Sequence, residues 1–382
     1  MTERKNFTVR TRSIEEAMVD FPVTTSWSPG AIDADVLILA AGFEPRVSAF
    51  PAKFLEFDQA PIRAVLVGQY QTNPEDNALR FQELRPLLQK FSGELREVDA
   101  DVPEDVLRSI IELSKLGGID RIAFDISGAS SSFIFSVVGA IFRQLPNVEL
   151  TIFYAEAATY NQSKKVGDDS DSPAEAPEHG VASVWTNPIF QGRHQDSASS
   201  YIVAFPSLYL SRLSRCLNFC GEAVESLAER NVLWVLPLTE AEEHKWRRGA
   251  TVDVIRKLVV PMSEDSSGES MMDREAHIDC HVRSPDQAAR ILLREAEIKS
   301  GRNIYLVHMG SKMQAIGAAL ALAAREEVSL VHARPERFTP SAYSDGIGNM
   351  YCLKIPNLGR TVKSMASVGQ MVLVCADGTE EY

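Results

Sequence analysis

The chain has 382 residues, 45% of them hydrophobic and 24% charged, enough for two ordinary domains with cores of their own. A net charge of −13 excludes a general grip on DNA or RNA, which needs a basic face, although a pocket can still be locally positive. The five cysteines (Cys216, Cys220, Cys280, Cys352 and Cys375) are odd in number and form no C-x-x-C pair. They fit a reducing cytosol and argue against a disulfide scaffold or a zinc site.

The start, MTERKNFTVRTRS, is polar and charged, with no apolar core of a signal peptide. Apolar runs such as 36–41 and 316–324 are too short to span a bilayer. A cytoplasmic protein with no membrane partner is expected.

Strands and helices alternate from residue 35 onward. Residues 36–41 (VLILAA) read as a buried strand that Gly42 breaks, and a short helix follows at 47–57. Residues 62–70 are a second strand. Asn73-Pro74-Glu75 opens a helix to about Phe91, with Leu79, Leu84, Leu87 and Leu88 facing inward. A weaker strand at 94–98 precedes a helix at 103–116, which Gly117-Gly118 ends. A strand at 121–126, a small-residue turn at 127–132, a helix at 133–144 and a strand at 148–155 complete the series.

Residues 163–180, rich in Asp, Glu, Ser, Pro and Gly, read as a loop, and 185–196 as a connector or a pair of short strands. The series then repeats: strand 201–205, helix 207–220, strand 232–236, helix 239–258 interrupted at Gly249, strand 277–282, helix 284–299, strand 303–307, helix 316–325 and strand 328–333. Residues 262–273 read as a loop, and 350–355 and 370–376 as further strands. The expected fold is α/β: two Rossmann-like lobes, each a mainly parallel sheet with helices on both faces, related by internal duplication. The lobes span 31–160 and 199–382, the latter including the C-terminal strands, with 161–198 as loop and connector.

Ligands on such sheets sit outside the carboxyl ends of the strands. Candidate ligand contacts therefore come from the turns there. In lobe one these are Gly42, Glu44 and Arg46 after the first strand, Gln69 with Gly68 and Tyr70 after the second, and Asp125, Ser127, Gly128 and Ser130 after the fourth. In lobe two they are Ser207 after the first strand and Gly310, Ser311, Lys312 and Gln314 after the fourth. Glycine permits close approach, and the helix N-termini and hydroxyls suit phosphate. Capping alone also explains those hydroxyls. Lys312 at a helix start is unfavourable unless an anion sits there. Arg46 could meet a phosphate or pair with Glu44, and Gln314 could read a base or ribose edge. Tyr154, Tyr160 and Tyr343 could stack on bases, although core packing explains them too. His308 reads as a packed histidine. No phosphate-loop, dinucleotide, zinc-protease or serine-hydrolase motif is present, so no cofactor or metal is expected.

The turn DISGASS in lobe one and HMGSKMQ in lobe two resemble the D-x-S/T-G-G-S/T-K turn of CRISPR-associated Rossmann-fold (CARF) sensor domains. Two such lobes in one chain resemble the SAVED domain of bacterial anti-phage signalling. The resemblance spans about residues 31–360 by architecture. It departs at Ala129 and Ser130, where that motif has a polar residue and a lysine, and at His308 and Met309, where it has the acid and hydroxyl region. It implies a nucleotide-type ligand, such as a cyclic oligonucleotide, held between the lobes. It also implies a regulatory role in anti-phage defence through a separate effector protein, since no effector is recognisable here. Two alternatives stand beside it. One is a nucleotide hydrolase using Asp125, Glu44 or Glu156, and the other is a non-catalytic assembly subunit. Self-association is left open.

Overall fold

The computed structural model describes residues 7–58, 60–91, 94–160, 178–206, 208–221, 231–259, 276–375 and 380–381. The expected loop at 262–273 and most of that at 163–180 lie outside these. In chain order the strands of the first sheet begin with β1 (Thr25–Ser26), β2 (Val36–Ala40), β3 (Ala64–Gln69), β4 (Leu95–Asp99), β5 (Arg121–Asp125) and β6 (Glu149–Ala155). Those of the second are β7 (Ser183–Thr186), β8 (Ser200–Phe205), β9 (Val232–Leu238), β10 (His277–His281), β11 (Asn303–His308) and β12 (Val328–Arg334); β13 (Met350–Ile355) follows.

The first sheet runs β1-β13-β6-β5-β2-β3-β4 and the second β7-β12-β11-β8-β9-β10. Each holds five parallel strands in the order third, second, first, fourth, fifth. An antiparallel strand lies beyond the fifth. The chain is thus an α/β protein of two Rossmann-like lobes built on one plan. The strand order reverses between β2 and β5 in lobe one, and between β8 and β11 in lobe two. The turns after these four strands are where such sheets take ligands.

The antiparallel strands refine one sequence expectation and correct another. β7 overlaps the start of the segment read as a connector or a pair of short strands, and it edges lobe two. β13 was grouped with lobe two but pairs with β6 of lobe one. Its alternation explains this: Tyr351, Leu353 and Ile355 are buried while Lys354 is exposed, the pattern of a strand with one covered face. Phe7–Thr11 pairs with Met371–Cys375, so the two ends of the chain meet.

The helices are α1 (Ala49–Phe54), α2 (Pro74–Leu88), α3 (Pro103–Ser114), α4 (Ser131–Gln144), α5 (Leu210–Phe219), α6 (Trp246–Val259), α7 (Pro285–Ile298), α8 (Lys312–Ala324) and α9 (Leu358–Ala366). α6 continues through Gly249, since its last two turns are fixed by burial of Val252, Val254, Ile255 and Leu258 against β9. Leu79 of α2 faces solvent, and Asn77 is buried in its place with Leu84 and Leu88.

One buried apolar cluster runs without a break from α3 and α4 through α7 and α8 to α9. The lobes are therefore joined by a shared core. α8 is buried at every position from Met313 to Leu322, as its uniformly apolar sequence requires. A Cβ on Gly317 of α8 would lie 1.8 Å from the Pro285 carbonyl oxygen at the start of α7. Gly317→Ala is expected to cost about 1–3 kcal/mol, because backbone blocks the added methyl. An unchanged urea midpoint would disprove that packing. Among the described residues no helix is long and apolar enough to cross a membrane.

Candidate functional site

Three of the four switch-point turns meet at a cavity of about 180 Å³ between the lobes. The fourth, after β8, carries Ser207, which lies outside the described residues. Of the residues expected to meet a ligand, Gly42, Glu44, Gly128, Ser130, Gly310 and Lys312 line the cavity.

Its core is a buried ion cluster that crosses between the lobes. Glu44 Oε1 accepts from Arg46 Nη2 at 2.6 Å and Nε at 3.1 Å, and from Ser344 Oγ at 2.6 Å. Glu44 Oε2 accepts from Lys312 Nζ at 3.2 Å. Lys312 also donates to the Ser127 carbonyl at 2.6 Å. Arg46 Nη1 donates to the Ala155 carbonyl at 3.0 Å. Burial alone would raise the Glu44 carboxyl, but the Arg46 and Lys312 cations and the Ser344 hydroxyl hold it down at about 2. Burial draws Lys312 down to about 8 against the pull of Glu44. The anion that Lys312 called for is thus the protein's own Glu44. Arg46 is likewise committed to Glu44 and lies off the cavity wall, so it is not a phosphate contact.

Other expected contacts are also structural. Asp125 is buried, and its Oδ1 accepts from the Ser127 amide at 2.8 Å and from the Ser127 hydroxyl. Ser127 Oγ accepts from the Ala155 amide at 2.9 Å, which ties the turn to β6. Burial pushes Asp125 up to about 6. Gln314 is buried. It accepts from the Ser311 amide and donates to the Cys280 carbonyl, so no edge remains for a base. Ser311 caps α8 and donates to the Val282 carbonyl, facing away from this cavity. Gln69 does not line it either. Ser130 caps α4, and its amide donates to the Tyr70 hydroxyl at 2.6 Å. The glycines serve packing: a Cβ on Gly128 would lie 2.4 Å from the Ala40 carbonyl oxygen, and one on Gly42 2.8 Å from the Gly128 oxygen.

The sequence reading gave least weight to the residues that define the cavity's chemistry. His308 ends β11 and His332 lies within the neighbouring strand β12, just before Ala333 and Arg334; both line the cavity, at 3% and 5% exposure. Neither ring nitrogen of His308 has a hydrogen-bond partner, nor does Nε2 of His332. Burial lowers both to about 3, with His332 adding to the effect on His308, so both rings are neutral. Phe135 of lobe one lies 5.4 Å from the His308 ring and 5.6 Å from that of His332, and Trp185 lies 5.9 Å from His332. Phe43, Phe338 and Tyr343 form a second aromatic wall, with ring centroids 5.6 Å apart. Asn73, in the left-handed region at φ 57°, holds that wall in place. It pairs with both backbone groups of Phe338 at 2.8 Å.

The cavity's cations are each matched. Lys312 faces Glu44, Arg212 lies 3.1 Å from Glu178, and Arg334 lies 3.9 Å from Asp101. Burial raises Glu178 to about 7 against the pull of Arg212. Each cation of the site thus faces a carboxyl group, and the walls are aromatic on two sides and polar at the two imidazoles.

No family model and no curated protein matches the chain. Among solved structures it is similar to the cytoplasmic domain of a prokaryotic cation chloride cotransporter, at 8% identity over 79% of this chain and 95% of that one, with a TM-score of 0.24. It is also similar to EvdMO1, at 13% identity over 44% and 35% of the two chains with a TM-score of 0.19. A third is an N-terminal ketoreductase from a macrolactin assembly line, at 7% identity over 85% and 72% with a TM-score of 0.19. At such scores these likenesses bear on neither fold nor function.

Proposed function

We propose that this chain is a cytoplasmic sensor that holds the base of a nucleotide-type ligand between its lobes and reports it to a separate effector protein. The observation that carries this reading is His308, whose two ring nitrogens are buried and unpartnered in an aromatic cavity shared by both lobes. A buried polar atom left unpaired costs about 1–3 kcal/mol, which a ligand edge with a donor and an acceptor offsets. A nucleobase has such an edge and a flat face for the surrounding rings. One ring system is the part of such a ligand that the cavity is proposed to take. A larger ligand would have to keep its remainder outside or part Lys312 from Glu44. The resemblance of the two turns to CARF and SAVED extends the reading to anti-phage regulation.

A second reading is favoured by Glu178: a carboxyl near neutral pKa in the cavity suits a general acid or base of a nucleotide hydrolase. Thermal shift with adenine, adenosine, AMP and cyclic dinucleotides, followed by mass spectrometry, separates the two. Sensing predicts a rise in melting temperature with a base or nucleoside that is recovered intact. A cleaved ligand would replace sensing by hydrolysis, and no shift with any of them would overturn both.

A further inference from the structure

A smaller cleft lies on the far side of the Arg46–Glu44–Lys312 cluster, where Tyr154 and Ser311 form part of its wall. Three guanidinium groups from lobe two, those of Arg247, Arg248 and Arg283, line it against one lining carboxylate, Glu156. Arg248 is taken up by Asp279 through two donors at 3.0 and 2.9 Å. Among the described residues Arg247 and Arg283 form no ion pair. Instead each lies over a tyrosine of lobe one: Arg247 is 4.3 Å from the Tyr160 ring and Arg283 5.0 Å from that of Tyr351. Arg247 also stands in the first turn of α6, where the helix dipole disfavours a cation and no acidic residue offsets it. His244, at 5% exposure, lines the same cleft with its Nδ1 buried and unpartnered.

We propose that this cleft is an anion site for a phosphate group, held by Arg247 and Arg283 with His244 as a further hydrogen-bonding partner. Arg247 is held over the Tyr160 ring, and Arg283 is held at Tyr351 both over the ring and by donating Nη1 to its hydroxyl. The remaining guanidinium donors match phosphate oxygens, and the lack of carboxylate partners leaves the charge to be met by a ligand. The main cavity differs on this point, since each of its cations is matched. Both arginines are half-buried, so an anion at the mouth of the cleft is within their reach. The site joins the lobes independently of what the main cavity holds.

Calorimetric titration of the full chain with inorganic phosphate at constant ionic strength tests this. Saturable binding at one site is expected, weakened at least tenfold by Arg247→Gln and further by Arg247→Gln/Arg283→Gln. Arg256→Gln on the same helix, whose partner is the exposed Asp253, and His308→Leu in the main cavity should leave it unchanged. Circular dichroism checks that the variants fold, and the single variant serves if the double one does not. AMP that binds more tightly than phosphate, and loses affinity by the same factor in the variants, identifies a nucleotide as the source; equal affinity identifies free phosphate. Absence of saturable binding, or equal affinity in Arg247→Gln, overturns the site.

Discussion

Arg46→Met is expected to destabilise the protein by about 3–5 kcal/mol, because it breaks a buried ion pair from one side. Arg46 is 2% exposed and gives Glu44 two of its hydrogen bonds, as well as satisfying the Ala155 carbonyl. Methionine fills the space but leaves a buried carboxylate with one cation, Lys312, at 3.2 Å. The double variant Arg46→Met/Glu44→Gln should recover part of the loss, since neither charge then remains uncompensated. Acid behaviour gives an independent sign. The Glu44 carboxyl is depressed to about 2 in the folded protein, so its contribution is present above its unfolded value near 4.5 and is lost as pH falls through 2. Without Arg46 the carboxyl protonates at higher pH, and the loss moves upward with it. Urea denaturation at pH 7 and pH 4 measures both effects. A cost under about 1 kcal/mol would mean that water reaches Glu44 and that the cluster is not buried.

Most of the fold was readable because parallel strands covered on both faces need unbroken apolar runs, as at residues 36–40 and 304–307. The exceptions have physical causes. Leu79 completed an apolar stripe on α2, but the first turns of that helix face the cavity, where Asn77 donates to the Thr72 carbonyl and occupies the wall. β13 alternates as any half-covered strand does, and nothing local in it names the sheet it joins. The turns of the site were readable from the rule that ligands meet strand ends, yet the partners of those turns were not. Lys312 meets Glu44 across 268 residues of sequence, a distance no local pattern encodes. Its odd placement at a helix start did show that an anion was required. A stronger signal is the tripeptide Leu-Val-His, which ends β11 as Leu306-Val307-His308 and recurs within β12 as Leu330-Val331-His332, and the register pairs Val307 with Val331. Continued by one residue, that register sets the two histidines side by side on one face of the sheet.

These two histidines carry the other large expected effect. His308→Leu/His332→Leu should remove binding of a nucleobase while leaving stability at pH 7 equal or higher, since it removes three buried ring nitrogens without partners, both of His308 and Nε2 of His332, in favour of apolar groups of similar size. The pH dependence separates this from ordinary damage. The unfolded chain protonates both imidazoles from about pH 6.5 downward, and the folded chain not until about 3. Between those values the unfolded state binds more protons, so the pair makes stability fall as pH falls. Asp125 and Glu178 act in the opposite sense. Burial raises them to about 6 and 7, so the folded state takes up their protons first and gains stability as pH falls toward their unfolded values. In the wild type the two pairs oppose one another, and the curve between pH 6.5 and 4.5 should be shallow. Removing the histidines leaves the carboxyl groups acting alone. Relative to the wild type, the variant should therefore gain about 2–3 kcal/mol per histidine over that interval. It would be a protein that withstands mild acid better and no longer recognises its ligand. If the variant and the wild type instead follow parallel curves from pH 6.5 to 4.5, the imidazoles titrate freely in the folded chain. The cavity is then open to water, and the argument that a ligand edge must meet those nitrogens falls with it.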